Sequence, residues 1–328
     1  MTSDSLRRRL AAICDEELPL PGKGSTAQRH ARLMQVGRED LSLARLAEAH
    51  WDAVAILAEA GRTGSRGCLY GVWASEIPDR GLQLRPVANG YVISGTKLFC
   101  SGADIVGRAL VTVASPEPYL VELDVEHLRE HTLVDVGSWK TDAFRTTRTG
   151  TVSFDDFPVH ADAIIATSGW YVERPGFWHG ACGPAACWAG GAAGLLDFGL
   201  LSRRKDSHTL AHLGGMLSDA WALQTYLARA GDEIDANPQD LDAARVRAFT
   251  VRHLVEQACT DVLRRFSRAY GPGPLTIEED TARRYHELDV YLRQSHAERD
   301  LESLASAWRQ AESNSRSLSN SPGNPWNP

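Results

Sequence analysis

The chain of 328 residues is long enough for one large domain or two small ones, and 43% apolar content is ample for a buried core. A net charge of −7, without a basic stripe or interleaved aromatics, argues against nucleic acid as a partner, since phosphate contacts need a basic surface. Six cysteines with no CxxC spacing point to a reducing compartment, the cytoplasm, and away from zinc or any other metal centre.

Met1 to Leu10 carries three arginines with no apolar stretch behind them, which is not the pattern of a secretory signal. Leu18 to Gly24 is a Pro/Gly loop. Gly22-Lys23-Gly24-Ser25-Thr26 has the composition of a phosphate loop but lacks its first glycine, its spacing and a preceding strand. It reads as a turn with Ser25 or Thr26 capping a helix. Helices are predicted over 26–36, stopping at Gly37, and over 41–60, closed by Gly61. Leu43, Leu46, Ala47, Val54 and Leu57 recur near the 3.6 period and bury one face of the second helix. Glu48, His50 and Asp52 do not form a metal set, because residues two apart on a helix face different sides. His50 and Trp51 read as packing residues beside the apolar stripe.

Residues 67–160 read as strands. Alternating runs at 82–87, 91–99, 109–113, 119–123 and 151–157 are separated by Gly, Pro and Asn turns, the pattern of a small sandwich or barrel. Asn89-Gly90 signals a type I′ hairpin turn. Gly95 interrupts its strand and predicts a bulge or a close backbone approach. Helices return at about 178–203, 207–231, 238–270 and 278–310. Gly180 to Leu201 has the length of a membrane span, but Pro184 and Asp197 interrupt it and no second span exists. It is expected to be a buried helix, with no membrane partner. His208 and His212 share a helix face but lack a Glu-x-x-His context, and read as structural. The tail 313–328 is Ser, Asn and Pro with almost no apolar residue and reads as disordered.

Three strand segments carry a resemblance. Gly90-Tyr91-Val92-Ile93-Ser94-Gly95-Thr96-Lys97-Leu98-Phe99-Cys100-Ser101 resembles the "GYxIxGxKxWxT" segment of the acyl-CoA dehydrogenase superfamily, with Phe99 for the Trp and Ser101 for the Thr. Ser75-Glu76, closing the run from Tyr70, resembles the family's "TEP". Thr151 to Val159 resembles "VxFDDVxVP". The resemblance implies an α+β fold: a short N-terminal helical segment (1–66), a central β-domain (67–165), a C-terminal helical bundle (166–312) and the tail. It implies an FAD-dependent oxidoreductase that dehydrogenates an acyl thioester such as an acyl-CoA, or a related small molecule. It also implies a homodimer or homotetramer.

By this resemblance Phe99 would form an apolar wall against the flavin, with Ser75 and Ser101 as donors. Read from the residues alone, Phe99 is a barrel-core aromatic and the serines are strand residues. Arg203 and Arg204 stand where the family's pyrophosphate-binding arginine would be. Arg268, Gly271 and Gly273 stand where the family has a turn that meets a neighbouring subunit's cofactor. The competing reading of these arginines is charge at helix C-termini. The family's phosphate-loop serine has no counterpart in Ile77-Pro78-Asp79-Arg80-Gly81.

The catalytic base is the open point. Counted from Asp289, the family's Glu falls on Ala297, with Glu298 next to it. The same count puts His296 where the two-component flavin monooxygenases of this superfamily carry a histidine. Those enzymes use reduced flavin and O₂, and FMN is then an alternative to FAD. Glu298 and His296 are therefore the two candidate catalytic residues. The plain alternative is an exposed charge cluster of His296, Glu298, Arg299 and Asp300 with i,i+4 pairing. A degenerate homologue that only assembles or binds ligand is the third reading, favoured by the missing Glu and the short N-terminus.

Overall fold

The computed structural model describes residues 3–76, 81–167 and 169–318. It is α+β, as expected. The elements in chain order are α1 (Ser3–Cys14), α2 (Thr26–Glu39), α3 (Leu41–Glu59), β1 (Tyr70–Trp73), β2 (Gln83–Val87), β3 (Gly90–Cys100), β4 (Arg108–Val113), β5 (Tyr119–Asp124), α4 (Val125–His131), β6 (Leu133–Asp135), β7 (Gly150–Val159) and β8 (Ile164–Ala166). Then follow α5 (Trp170–Glu173), α6 (Pro175–Gly180), α7 (Cys182–Leu201), α8 (Ser207–Ala236), α9 (Leu241–Tyr270), α10 (Gly273–Thr276), α11 (Glu279–Leu292) and α12 (Glu298–Leu318). The chain divides into two compact units: residues 1–18 with 35–177, and residues 19–34 with 178–328.

The first unit holds two four-stranded sheets, ordered β1-β4-β5-β8 and β2-β3-β7-β6. β1 and β4 run parallel; the other pairs are antiparallel. Trp73, Val111, Val113 and Val121 of one sheet and Leu84, Ile93, Val152 and Phe154 of the other share one buried apolar cluster. Ala53, Ile56 and Leu57 of α3 cover Tyr70, Leu110 and Leu120 on the first sheet. Asp40 caps α3, accepting from the Leu43 amide at 3.0 Å, so this helix starts where its sequence predicts. His50 is a packing residue, its Nδ1 accepting from the Tyr70 amide at 3.1 Å.

Two local expectations change. α2 runs through Gly37 to Glu39, because one glycine in a helix costs only about 1 kcal/mol and burial outweighs it. The β2–β3 hairpin turns on Ala88-Asn89, with Val87 paired to Gly90 and Asn89 not at positive φ, so no type I′ turn forms. Gly90 is needed elsewhere: it sits at φ 124°, and a Cβ there would lie 2.7 Å from the Val159 carbonyl oxygen. Gly95 meets both of its expectations, at φ 118° beside a register shift, with the Gly81 carbonyl oxygen 2.9 Å from where a Cβ would sit.

The second unit is a helical bundle in which α9 contacts α7, α8, α11 and α12. The apolar helix spanning Pro175 to Leu201 is long enough to cross a membrane, yet 67% of its apolar window is buried inside the fold. The helix predicted over 278–310 breaks between Leu292 and Glu298, with Ala297 at φ 49°. α12 continues to Leu318, into the stretch read as disordered; residues 319–328 lie outside the described residues.

The phosphate-loop look-alike is filled by the chain's own carboxylate. Asp235 accepts from the Gly24 amide (3.0 Å), the Thr26 amide (2.8 Å) and the Thr26 hydroxyl (2.6 Å). Burial alone would raise the Asp235 pKa, but these hydrogen bonds outweigh it and lower it. Nearby, His30 is buried and donates from Nδ1 to the Leu227 carbonyl at 2.9 Å. Burial pushes its pKa down to about 4, from 6.5. The unfolded chain therefore takes up a proton first as pH falls, and stability drops between pH 6.5 and 4 by about 3 kcal/mol. Urea unfolding at both ends of that window should show this loss in the wild type and a much smaller one in His30→Leu. An equal loss in the variant would assign the acid sensitivity elsewhere.

Candidate functional site

The motif segments of the first unit converge at one end of the sheets. Trp73, the last residue of β1, donates from Nε1 to the Ser101 carbonyl at 3.0 Å. Lys97 of β3 donates from Nζ to Glu76 Oε1 at 2.6 Å, and to the carbonyl and hydroxyl oxygens of Thr112 at 2.8 Å each. Thr112 also donates its hydroxyl to Glu76. Ser75-Glu76 and Lys97 to Ser101 thus lie side by side. The Lys and Glu that help define the two motifs are partners in an ion pair whose lysine end is buried. Burial pulls the Lys97 pKa down, and Glu76 partly restores it. Burial pushes the Cys100 thiol up to about 12, so it stays protonated and is no nucleophile.

Phe99 is the unusual residue of this end. Between Lys97↔Val152 and Cys100↔Gly150, β3 spends one residue more than β7. This bulge carries Phe99 at φ 59°, and the residue is 51% exposed. A bulky side chain at positive φ is a true outlier that costs about 1–3 kcal/mol. A bulge of this kind re-aims a side chain out of the alternation of its strand. Phe99 is therefore not the core aromatic that its sequence neighbours allow.

Two residues further along the chain, Ser101 opens a hydroxyl chain. Ser101 Oγ accepts from Arg45 Nε at 3.2 Å and hydrogen-bonds Thr149 Oγ1 at 3.1 Å. Thr149 bonds Thr147 Oγ1 at 2.8 Å, and Thr147 donates to the Phe144 carbonyl. The Arg45 guanidinium stands 5.1 Å above the Phe144 ring. Arg45 and Thr149 escape sequence reasoning, since no motif contains them and Arg45 comes from α3. Ser75 is exposed beside Glu76. Ile77 to Arg80 lie outside the described residues.

The remaining candidates belong to the second unit. Arg204 donates from Nη1 to the Ala269 carbonyl at 2.9 Å, at the C-terminus of α9. This is the helix-terminal role for that arginine; Arg203 and Arg268 are exposed. Gly271 ends α9 at φ 70°, and neither it nor Gly273 has an atom within 4 Å of a would-be Cβ. His296 lies in the break before α12. Its amide donates to Asp300 Oδ2 at 2.9 Å, and its Nδ1 lies 3.2 Å from Asp300 Oδ1. The His296 ring is 56% exposed while the Asp300 side chain is 13% exposed, so Asp300 anchors the ring. Because the carboxylate can only accept, Nδ1 carries the proton and Nε2 is left free to take or give one. Glu298 is exposed in the first turn of α12. The i,i+4 pairing expected of this cluster forms between His296 and Asp300.

No family model matches this sequence, and no curated protein does. Solved structures do. KijD3 in complex with FMN and a dTDP-linked amino-keto sugar is 18% identical, with a TM-score of 0.76, over 94% of this chain and 86% of that one. The chain has the acyl-CoA dehydrogenase-like fold. PigA with FAD and proline shares it at 15% identity and a TM-score of 0.75, over 93% of this chain and 88% of that one. So does the dibenzothiophene monooxygenase TdsC from Paenibacillus sp. A11-2, in complex with FMN and indole, at 16% identity and a TM-score of 0.69, over 92% and 94%. In this fold the strand end that bears Phe99 and Ser101 is the segment whose sequence carries the family resemblance.

Proposed function

We propose that this protein is a flavin-dependent oxidoreductase of the oxygen-using kind, a two-component monooxygenase acting on a small molecule in the cytoplasm. The observation that carries this reading is Phe99: an aromatic held at positive φ on a bulge and left half exposed, beside a hydroxyl cluster, in a fold whose solved relatives carry flavins. Strain at a residue left half exposed is the kind that clusters at ligand sites. An exposed planar ring flanked by hydroxyl donors fits the apolar ring and polar edges of a flavin. Phe99 would form the wall, and Ser75 and Ser101 would reach its polar edge. Arg203 and Arg268, exposed on the second unit, are separate candidates for anionic groups. FMN and FAD both suit this donor set. When bound in reduced form, the cofactor supplies the two electrons needed to divide O₂ between substrate and water.

The chain's own contribution is proton handling. Asp300 fixes the His296 tautomer, which leaves Nε2 able to give or take a proton. The competing reading is dehydrogenation of an acyl-CoA or related thioester with Glu298 as base. What favours it is the position of Glu298 in the exposed first turn of α12, two residues beyond His296. As partner we propose a second copy of this chain, in a homodimer or homotetramer. The exposed Leu210, Leu217 and Trp221 of α8 supply apolar surface for it.

Phe99 gives the test. Phe99→Ala should weaken flavin binding by roughly tenfold or more, the loss of about 1.5 kcal/mol of aromatic stacking. The melting temperature should stay unchanged. Phe99→Gly should weaken binding equally and raise stability by about 1 kcal/mol, because glycine relieves the positive φ. Unchanged flavin affinity in a folded Phe99→Ala protein would remove Phe99 from the site.

A further inference from the structure

α4 carries a cluster that the flavin reading does not use. His127, Glu130 and His131 offer one ligand atom each, all within 4.8 Å of one another, and all three side chains are exposed. The spacing is that of one helix face: i,i+4 between the histidines, i,i+3 from His127 to Glu130. We propose that this face is a binding site for a borderline divalent transition-metal cation of the Zn²⁺ or Ni²⁺ type.

Three observations besides proximity support it. His131 Nδ1 lies 2.8 Å from the His127 carbonyl oxygen. A carbonyl only accepts, so Nδ1 holds the proton and Nε2 presents its lone pair outward, the second-shell arrangement found behind metal-binding histidines. His127 is steadied from below by the Phe157 ring at 5.5 Å, and its own ring lies 4.2 Å from that of His131. The helix is fixed to the fold. Val125 and Leu128 are buried on its inner face, and Asp124 caps it by accepting from the Glu126 and His127 amides at 3.0 Å each. The ligands therefore project from a rigid element, as a metal site needs.

Charge agrees. Glu126 stands one turn before Glu130, and Arg129 is engaged with the Asp104 carbonyl at 3.0 Å. Two imidazoles and one carboxylate select Zn²⁺, Ni²⁺ or Cu²⁺ over Mg²⁺ and Ca²⁺, which prefer all-oxygen sets. Metal–ligand bonds of about 2.0–2.2 Å bring ligand atoms closer than the present spacing. Exposed side chains can make that adjustment by rotation. Three protein ligands on one side leave the outer positions open to water or to a second ligand.

The test is calorimetric titration of metal-stripped, full-length protein with Ni²⁺. Wild type should bind one equivalent. His131→Gln should weaken binding by at least about tenfold, the loss that even second-shell changes reach. The pair His127→Gln with His131→Gln should abolish that equivalent. His160→Gln, at another exposed histidine paired with Asp162, should leave it unchanged. Binding that survives in the double variant would place the metal on other groups, such as cysteine thiols, and overturn the proposal. So would absence of binding in wild type, or displacement of Ni²⁺ by equimolar Mg²⁺. None of these outcomes depends on flavin.

Discussion

His296→Ala is expected to bind flavin as the wild type does and to form product roughly 10² to 10⁴ times more slowly, the usual cost of losing a positioned acid–base group. Reduced flavin should still be consumed, with hydrogen peroxide released in place of product. The geometry sets this expectation. Asp300 is mostly buried and holds the ring through both its amide and its Nδ1. Nε2 is the only ring nitrogen left for chemistry. Asp300→Ala should show a milder form of the same defect, since it frees the ring without removing it. The thioester reading predicts the reverse pattern. There Glu298→Gln would block reduction of the flavin by an acyl-CoA, and His296→Ala would not. Turnover measured with peroxide detection in these three variants separates the readings. Full coupling in His296→Ala would end the assignment of that residue.

Glu76→Gln is expected to cost about 2–3 kcal/mol of stability, more than Lys97→Met at the other end of the same pair. The asymmetry follows from burial. Lys97 is 2% exposed and Glu76 41% exposed. Removing the carboxylate strands an ammonium inside the protein, and breaking a buried pair from one side costs about 3–5 kcal/mol. The Thr112 oxygens remain as acceptors, which lowers the estimate. Removing the lysine instead leaves a carboxylate that water reaches, so the loss is mainly packing. The pH dependence has a definite sign. Burial already lowers the folded-state Lys97 pKa below 10.5. Without Glu76 it falls further, so the unfolded chain binds more protons between the folded pKa and 10.5, and stability rises with pH across that window. Glu76→Gln should thus gain stability from neutral to alkaline pH more steeply than wild type. The double variant with Lys97→Met should recover part of the loss and lose that slope. Denaturant unfolding across the range reads both.

Local chemistry was legible wherever one residue type decides it. Asp40 marks the start of α3, and Gly95 marks a strained strand position with a neighbouring backbone against it. The order of helices, strands and helices followed from hydrophobic period. The hairpin turn was misread because Gly90 answers to the Val159 carbonyl across the sheet rather than to the turn. The break at 293–297 was missed because charged helical residues continue on both sides of it and no glycine or proline announces Ala297 at φ 49°. The site was half legible. Phe99 and Ser101 stand out through the motif, yet the conformation that turns Phe99 outward is set by how β7 pairs with β3, which a single strand's sequence does not record. Arg45 and Thr149 reach Ser101 from 56 and 48 residues away, and such convergence leaves no local trace. His296 with Asp300 was readable as i,i+4 spacing, though its anchoring by a mostly buried carboxylate was not.

The central claim is that this chain binds a flavin against Phe99. Titration of the purified protein with FMN and FAD, oxidised and then chemically reduced, followed by flavin absorbance and fluorescence, tests it most directly. The account predicts saturable binding of one flavin per chain in at least one of these forms, weakened in Phe99→Ala. A folded protein that binds neither flavin in either redox state would contradict it and leave the fold serving assembly or ligand binding instead.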